Sequence, residues 1–437
     1  MEPLAPIIRD RVCGGPDPLA VAFNRRSWLR GAAGLGGAAW LTAVANVLAD
    51  QPSLGRHEPA QSIILLWMAG GPSQLETFDP HPGHAISGPT QAIDTALRGV
   101  QLAEGFERVA AEMGSISLVR SLLSKEGDHE RGTYLVKTGY RPDPTVIHPS
   151  LGAICCHELS PGKTEIPRHI SILPGQWPSR GGFLGDQYDA FKTFDPREKV
   201  PDIASRVAAS RVRERLDDLQ VVEQAFAAGR ERDVAATRHE ATMADARRMM
   251  TSEQLKAFDV ASESAALRAD YGDTPFGRGC LAARRLIEVG VRCVEVTLSG
   301  WDTHAKNFTG HREQLRILDP AFAALIKDLR SRGLLERTVV MCGGEFGRTP
   351  AINRLDGRDH WPHGFSMALA GGGLRGGAVI GATDPEGSKA VADPHSIGDV
   401  HATVLTALGI DPRKENISAS GRPIKLADGK PIAALLG

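Results

Sequence analysis

The sequence is 437 residues long, and its 51 Lys and Arg nearly balance its 52 Asp and Glu, which gives a formal net charge of -1 at pH 7. This balance, without a strongly basic block, argues against a nucleic-acid partner. Hydrophobic residues make up 42% of the chain, and 48 Gly and 28 Pro favour a loop-rich α/β protein over a helical bundle. The length allows one large domain or two smaller ones.

The N-terminal segment has the layout of an export signal. Residues 24–30 read NRRSWLR, and an apolar run of small residues follows that closes on VLA. A charged region, an apolar region and a small-residue cleavage site in this order are typical of a signal peptide, and the paired arginines resemble the twin-arginine type. The run is short and rich in Gly for a membrane-spanning helix, although an anchor or a surface helix is the alternative. We therefore expect a twin-arginine signal peptide over residues 1–49 and a linker over residues 50–61.

The cysteines give no disulfide pattern. Cys13 would leave with the signal peptide, and the remaining number is odd, with no C-x-x-C pair. We expect most of the others to be small buried hydrophobic residues: Cys155, Cys156, Cys280, Cys293 and Cys342.

The first half of the remaining chain predicts strands and then a helical segment. Apolar runs predict strands at SIILLWMA from residue 62, at 115–122 and at 169–175. The stretch from about 200 to 272 is rich in Ala, Arg, Glu and Asp, and we expect a helical insertion with solvated outer faces in a domain that spans residues 62–437. Its apolar residues keep a helical spacing: Ala204, Val207, Val212, Leu216, Leu219, Val222 and Phe226.

Strands and helices alternate in the second half. Thr274-Pro275 predicts a helix start and Asp319-Pro320 predicts another, with a glycine past the end of each helix. Strands are predicted at RCVEVTLSG, TVVMCGGEFG and FSMALAGGG, and a late helix at HATVLTALGI. This alternation predicts a mostly parallel sheet covered on both faces, with its sites beyond the carboxyl ends of the strands.

Two polar clusters lie in the first half. MAGGPSQLETFDP at residues 68–80 places Ser, Glu and Asp oxygens after a Gly-Gly turn, although a simple strand-to-loop turn explains it as well. Asp128, His129, Glu130 and Arg131 lead into a predicted helix start, where free N–H groups suit an anion and Arg131 adds further donors. The alternative is a solvated helix cap.

GWDTHAKNF at residues 300–308 follows a buried strand. Asp302 and His304 are two residues apart, so in an extended segment both side chains point the same way, as two ligands of one metal would. The alternative is that Asp302 caps a helix and His304 lies in the loop.

Two further clusters follow later strands. Glu345 and Arg348 come directly after TVVMC, and Asp359, His360 and His363 precede FSMALAGGG. Because acids and histidines recur at one edge of the predicted sheet, we expect them to lie together. Imidazole and carboxylate ligands suit Zn, Mn or Fe and, with more oxygens, Ca or Mg, and such a site favours metal-assisted hydrolysis.

The motifs GGPSQLETFDP, GDHERGT, SGWDTHAKNF, GEFGRTPAIN and GRDHWP resemble those of a large exported bacterial family of unknown function. The likeness covers nearly all of the chain after residue 60, and that family resembles the alkaline-phosphatase superfamily, which includes sulfatases. The resemblance implies an alkaline-phosphatase-like α/β/α sandwich with a mostly parallel central sheet, commonly with two metal ions. It implies five residues at the metal: Asp302, His304, Glu345, His360 and, beside it, Asp359.

The sequence departs from the superfamily pattern at two points. Phe346 stands where a further histidine ligand normally follows the acid. RGTYLVKTGYRP resembles the run after the superfamily nucleophile, but no hydroxyl or thiol stands at the nucleophile position; Thr133, Ser73 and Ser124 are nearby candidates. Neither C-x-P-x-R nor S-x-P-x-R occurs, so an ordinary sulfatase mechanism is not expected.

These observations together predict a periplasmic or extracellular hydrolase that uses one or two divalent ions, Zn or Ca/Mn, and a metal-activated water. The expected substrate is a small anionic ester or a sulfated or phosphorylated glycan. Asp128, His129 and Arg131 would face the substrate anion, or His129 would be a further ligand, and Arg348 would stabilise developing charge. The alternatives are a non-catalytic binding or structural protein on the same fold, and another metal chemistry such as that of a lyase or esterase.

Overall fold

The computed structural model describes residues 58–230 and 237–437. The predicted signal peptide and most of the predicted linker lie outside these residues. Within them, no helix combines the length and the apolar character that crossing a membrane requires.

A nine-stranded sheet forms the centre of the described part. Its strands are, in chain order, β1 Ser62–Ala69, β2 Ile116–Leu123, β3 His169–Ile172, β4 Phe191–Thr193, β5 Cys293–Ser299, β6 Thr338–Gly343, β7 Phe365–Gly371, β8 Val379–Ile380 and β9 His395–Ser396. The order across the sheet is β8-β2-β7-β6-β1-β5-β3-β4, and β9 pairs with β2. All strands run in one direction except β7, which is antiparallel to both β2 and β6. The prediction of a mostly parallel sheet is confirmed.

Helices cover both faces of the sheet, as predicted. They are α1 Glu107–Glu112, α2 His129–Thr138, α3 Leu151–Glu158, α4 Ala209–Ala227, α5 His239–Thr251, α6 Ala265–Tyr271, α7 Pro275–Glu288, α8 Asn307–Ser331 and α9 Ile397–Ala407. The side chains of β1 alternate, so that Ile64, Leu66 and Met68 pack in the core with α1, α7 and α8. Ile63 and Trp67 point the other way and pack with α2, α3 and α9.

Short elements complete the described chain. Two-stranded ribbons pair Ala92–Asp94 with Gln101–Ala103, Gly347–Arg348 with His360–Trp361, Ala382–Thr383 with Ala390–Ala392, and Glu415–Ile417 with Pro423–Lys425. Single 3-10 turns occur at Ala85–Ser87, Met113–Ser115, Gly182–Leu184, Asp186–Tyr188, Glu253–Phe258, Val260–Ser262, Leu335–Arg337 and Ala433–Leu435.

The prediction that Asp319-Pro320 opens a helix is wrong. Helix α8 begins at Asn307, and Pro320 lies inside it, where it removes one backbone hydrogen bond. The Asp319 carboxylate instead accepts hydrogen bonds from the backbone N–H groups of Arg108 at 3.1 Å and Val109 at 2.8 Å. Asp319 is thus an N-terminal cap, but for α1 rather than for its own helix. The other prediction of this kind is confirmed, since Thr274 caps α7 with Pro275 as its first residue.

The five cysteines of the described part are free and buried, as expected for small hydrophobic residues. The segment predicted to be a helical insertion contains α4, α5 and α6, and no residue of α4 is buried.

Candidate metal centre

The predicted ligands meet at one edge of the sheet. Strand β5 ends at Ser299, just before Asp302 and His304, and β6 ends two residues before Glu345. Because β7 is antiparallel, its amino end lies at the same edge, and this brings His360 to the carboxyl ends of its neighbours. His129, the first residue of α2, completes the group after β2.

Three imidazole rings in this cluster are each held through Nδ1 by an oxygen. His129 Nδ1 lies 2.7 Å from Glu345 Oε1, His304 Nδ1 lies 2.8 Å from Asp359 Oδ1, and His360 Nδ1 lies 2.7 Å from the Gly127 carbonyl. Carbonyl and carboxylate oxygens accept hydrogen bonds, so these contacts assign the proton of each neutral ring to Nδ1. Each Nε2 is then left with a free lone pair.

The three Nε2 atoms converge on the carboxylate of Asp302. The Nε2 atoms of His129, His304 and His360 lie 3.4, 3.2 and 3.4 Å from its oxygens, and those of His304 and His360 lie 2.9 Å from each other. Two lone pairs at this distance repel unless a proton or a metal cation lies between them. Ligand atoms of His129, Asp302 and His360 all lie within 4.8 Å of one another, close enough to share one metal ion.

Two buried atoms at the cluster have no hydrogen-bond partner: His129 Nε2 and Glu345 Oε2. Leaving buried polar atoms unpaired is costly, and both are metal ligand types that lack a partner in the protein. Histidine ligands commonly donate their other ring N–H to a carboxylate or a carbonyl, as all three rings do here. The residues present therefore fit a divalent metal.

Arg348 holds Asp302 in place. The guanidinium is fully buried; Nη2 donates to Asp302 Oδ1 at 2.6 Å and also to the Gly70 carbonyl, and Nε donates to the Gly71 carbonyl at 2.8 Å. Burial of Asp302 opposes its ionisation, but the hydrogen bond and charge of Arg348, with the nearby His129 and His304, bring its pKa below the ordinary value. Asp302 is therefore ionised near neutral pH. With its donors used in this way, Arg348 has a positioning role rather than one facing a substrate.

The two histidines that flank Phe346 differ in their titration. The hydrogen bond that His129 donates to Glu345 raises the pKa of His129, whereas burial lowers the pKa of His360. The Phe346 ring packs against both, with its centroid 5.1 Å from that of His129 and 4.5 Å from that of His360, and the two imidazole centroids lie 4.4 Å apart. Phe346 is buried and gives this side of the cluster an apolar wall. Gly71 leaves room for it, since a Cβ at that position would lie 2.4 Å from the ring.

A buried hydrogen-bond network of other motif residues holds the loops of the cluster together. The Glu76 carboxylate accepts two hydrogen bonds from Arg358, at 2.8 and 3.0 Å, and a third from Asn307 Nδ2 at 2.8 Å. Glu76 and Arg358 are both buried. They join GGPSQLETFDP to GRDHWP, and Asn307 adds SGWDTHAKNF. The sequence suggested only that Glu76 supplies an oxygen; its pairing with an arginine some 280 positions away has no local signal.

The remaining predicted site residues make contacts outside the cluster. Asp128 caps α2 by accepting a hydrogen bond from the Arg131 backbone N–H, so a carboxylate already occupies the helix start predicted to bind an anion. The Arg131 side chain, 47% exposed, pairs with Glu126. His363 packs against Trp361 rather than joining His360.

None of the hydroxyl candidates bonds to the cluster. Ser73 is fully buried, and Ser124 accepts a hydrogen bond from the Glu126 backbone N–H. In the part of the chain that the structure describes, no Ser, Thr or Cys side chain hydrogen-bonds to Asp302, His129, His304 or His360.

A cavity of about 280 Å³ is lined in part by residues of α2, although none of its lining residues belongs to the cluster. It begins at Glu130, the residue after His129, and its lining includes Tyr134, Trp177 and Arg180. At its inner end, Lys137 donates to Glu295 of β5 at 2.9 Å and so fastens α2 to the sheet. A larger cavity of about 420 Å³ shares no residue with the cluster.

The family model described as "Protein of unknown function (DUF1501)" matches residues 60–436. The chain belongs to this family. All of the cluster and its supporting hydrogen-bond network lie within the matched part of this DUF1501 protein. Among curated proteins no relative matches it.

Solved structures give distant likenesses. The C-terminal periplasmic domain of EptC from Escherichia coli, in complex with Zn, is 8% identical, with 88% of this chain and 96% of that chain covered and a TM-score of 0.38. A TAB5 alkaline phosphatase mutant with Mg bound is 11% identical, covers 82% and 100%, and has a TM-score of 0.37. The lipoteichoic acid synthase LtaP from Listeria monocytogenes is 11% identical, covers 86% and 77%, and has a TM-score of 0.38.

Proposed function

We propose that this DUF1501 protein is an exported metal-dependent hydrolase of phosphate- or sulfate-type esters. The observation that carries the proposal is the convergence of three Nε2 atoms with free lone pairs on the Asp302 carboxylate. Such an arrangement of lone pairs and a carboxylate is electrostatically unfavourable in the absence of a cation.

The ligands in this proposal are Asp302, His129, His304 and His360. Three imidazole nitrogens and one carboxylate favour Zn over Ca or Mg, which prefer oxygen. Asp359 orients His304 from outside the cluster. Glu345 orients His129 through Oε1, and its unpartnered Oε2 is the donor available for a further ligand position or a second ion.

The bound cation would supply Lewis acidity toward the ester and would activate a water molecule. The chain's own residues provide the surroundings. No hydroxyl or thiol of the described residues contacts the ligands, so water is the attacking group that fits. Phe346 is a buried apolar residue against His129 and His360, and Arg131, which pairs with Glu126, is a half-exposed cation two residues after His129.

The alternative is a non-catalytic protein that keeps the cation as a structural element. The missing hydroxyl and the Phe346 replacement favour it. The two candidates differ in one respect, since only the enzyme would lose an activity when a chelator removes the metal.

The first test is metal content per chain, measured by inductively coupled plasma mass spectrometry on purified protein. We expect at least one transition-metal ion per chain, lost in His304→Ala and His360→Ala. The matched control is His363→Ala, which changes a histidine of the same motif outside the cluster and should keep the ion. An equal metal content per chain in all three variants would contradict the assignment of His304 and His360 as ligands.

The second test is a screen of phosphate and sulfate esters with and without chelator. Chelator-sensitive hydrolysis that His304→Ala abolishes supports the enzyme. Bound metal without hydrolysis of any ester supports the non-catalytic alternative.

A further inference from the structure

Helix α4 is a long helix with little tertiary packing in the described part of the chain. Its bounds are Ala209–Ala227 and none of its residues is buried, although Val212, Leu216 and Leu219 are half-buried; within the described residues no helix or strand packs along its length. A salt bridge from Glu223 to His239, at 3.0 Å, is its ion pair with α5. In proteins, most of the stability of such a helix comes from the packing of its apolar face. Phe226 and Val222 nevertheless remain 59% and 64% exposed.

Five of the six large apolar residues of α4 form a stripe that is the same when read from either end. Val212, Leu216, Leu219, Val222 and Phe226 are separated by four, three, three and four residues, with Leu219 at the centre. Such spacing keeps side chains on one face of a helix. A symmetric stripe is self-complementary in an antiparallel pair, where Val212 of one copy lies level with Phe226 of the other.

The charges of α4 fit the same arrangement. The half before Leu216 carries three arginines and one glutamate, whereas the half after it carries three acids and no basic residue: Arg211, Arg213, Glu214 and Arg215, then Asp217, Asp218 and Glu223. A parallel pair would place like charges side by side. In an antiparallel pair about Leu219, Arg215 of each copy lies level with Glu223 of the other, so opposite charges face each other there.

We propose that α4 is a self-association surface, which pairs antiparallel with α4 of a second copy of this chain about a two-fold axis at Leu219. The interface is isologous, since each copy offers the same stripe. One helix pair is small beside a standard interface, so the dimer forms at micromolar rather than nanomolar concentrations.

The experiment is sedimentation velocity of the full chain from about 1 to about 100 µM. We expect the mass to double with concentration, and Val222→Asp with Phe226→Asp to weaken association at least about tenfold. The matched control is Val221→Asp, because Val221 is 67% exposed on the opposite face and should associate like the parent. A parent protein that stays monomeric, or equal effects of the two valine changes, would overturn the proposal. Binding of the monomer to anionic vesicles through this stripe would also overturn it, in favour of a lipid surface.

Charge reversal tests the orientation. Arg215→Glu should weaken association, and adding Glu223→Arg should restore it, because opposite signs then face each other again. A second experiment measures cross-linking between Val212→Cys and Phe226→Cys proteins that are mixed, both of which also carry Cys13→Ser. Mixed cross-linked dimers in excess of like pairs support the antiparallel arrangement, and like pairs alone would contradict it.

Discussion

The ring orientation of the three histidines is set by what their Nδ1 atoms touch. Asp359 is the clearest case, since it is 62% exposed and its recorded side-chain hydrogen bond is to His304. The sequence predicted Asp359 to lie at the metal because it stands next to His360. The structure places it behind a different histidine, His304, 55 residues earlier in the chain.

Replacement of Asp359 by Asn should therefore weaken metal binding without removing a ligand. An orienting partner of this kind is typically worth 10 to 100-fold in metal affinity, and we expect about tenfold here because the site is exposed. Competition against a chromogenic zinc chelator measures the affinity. Asp356→Asn, three residues away on the same loop, is the control and should change nothing. An unchanged affinity in Asp359→Asn would mean that His304 is oriented by its backbone alone.

At the scale of the elements, the loops after β1, β5 and β6 are joined by the buried pair of Glu76 and Arg358. Removing one member of a buried pair leaves the other charge without its partner. Glu76→Gln should therefore destabilise the fold by about 3 kcal/mol, measured by urea unfolding. Glu104→Gln breaks the partly exposed pair with Arg312 instead and should cost less than about 1 kcal/mol. Similar losses in both variants would contradict the structural role assigned to Glu76.

Most elements could be predicted from the sequence because their signals are local. Buried strands such as β1 and β6 are continuous apolar runs, and α7 begins with a Thr-Pro cap. Asp319 shows the limit, because its capping carboxylate serves a helix 210 residues away and only the packing of α1 on α8 reveals it. The candidate site follows the same rule: the motifs pointed to the residues that cluster, whereas the pairing of each ring with its oxygen depended on the fold of the whole chain.

For the whole molecule, two buried neutral histidines predict acid sensitivity. Burial lowers the pKa of His311 and of His401 to about 4, from 6.5. Because the unfolded chain then binds protons more tightly, this part of the stability is present above pH 6.5 and is lost as the pH falls towards 4. At pH 5 protonation linked to each of these two histidines should lower the free energy of unfolding by about 2 kcal/mol.

Urea unfolding of the parent, His401→Leu and His84→Asn at pH 7.5 and pH 5.0 measures this loss. His401→Leu should be less stable than the parent at pH 7.5 but should lose about 2 kcal/mol less on acidification. The exposed His84 is the control, and its replacement should leave the pH dependence of the parent. An equal pH dependence in His401→Leu would show that other groups control acid unfolding.

The reversed direction of β7 has a further consequence for how this site changes over evolution. Strands β6 and β7 are neighbours, and the chain leaves one and enters the other at the same edge. The segment at 344–364 is therefore one connection between β6 and β7, and it contributes Glu345, Arg348, Asp359 and His360 together. Within it, Gly347–Arg348 pairs with His360–Trp361 as a short antiparallel ribbon. Both of its ends are fixed by the sheet. Recombination between relatives can exchange this segment as one unit, which would replace one proposed ligand, His360, together with the residues that contact His129, His304 and Asp302.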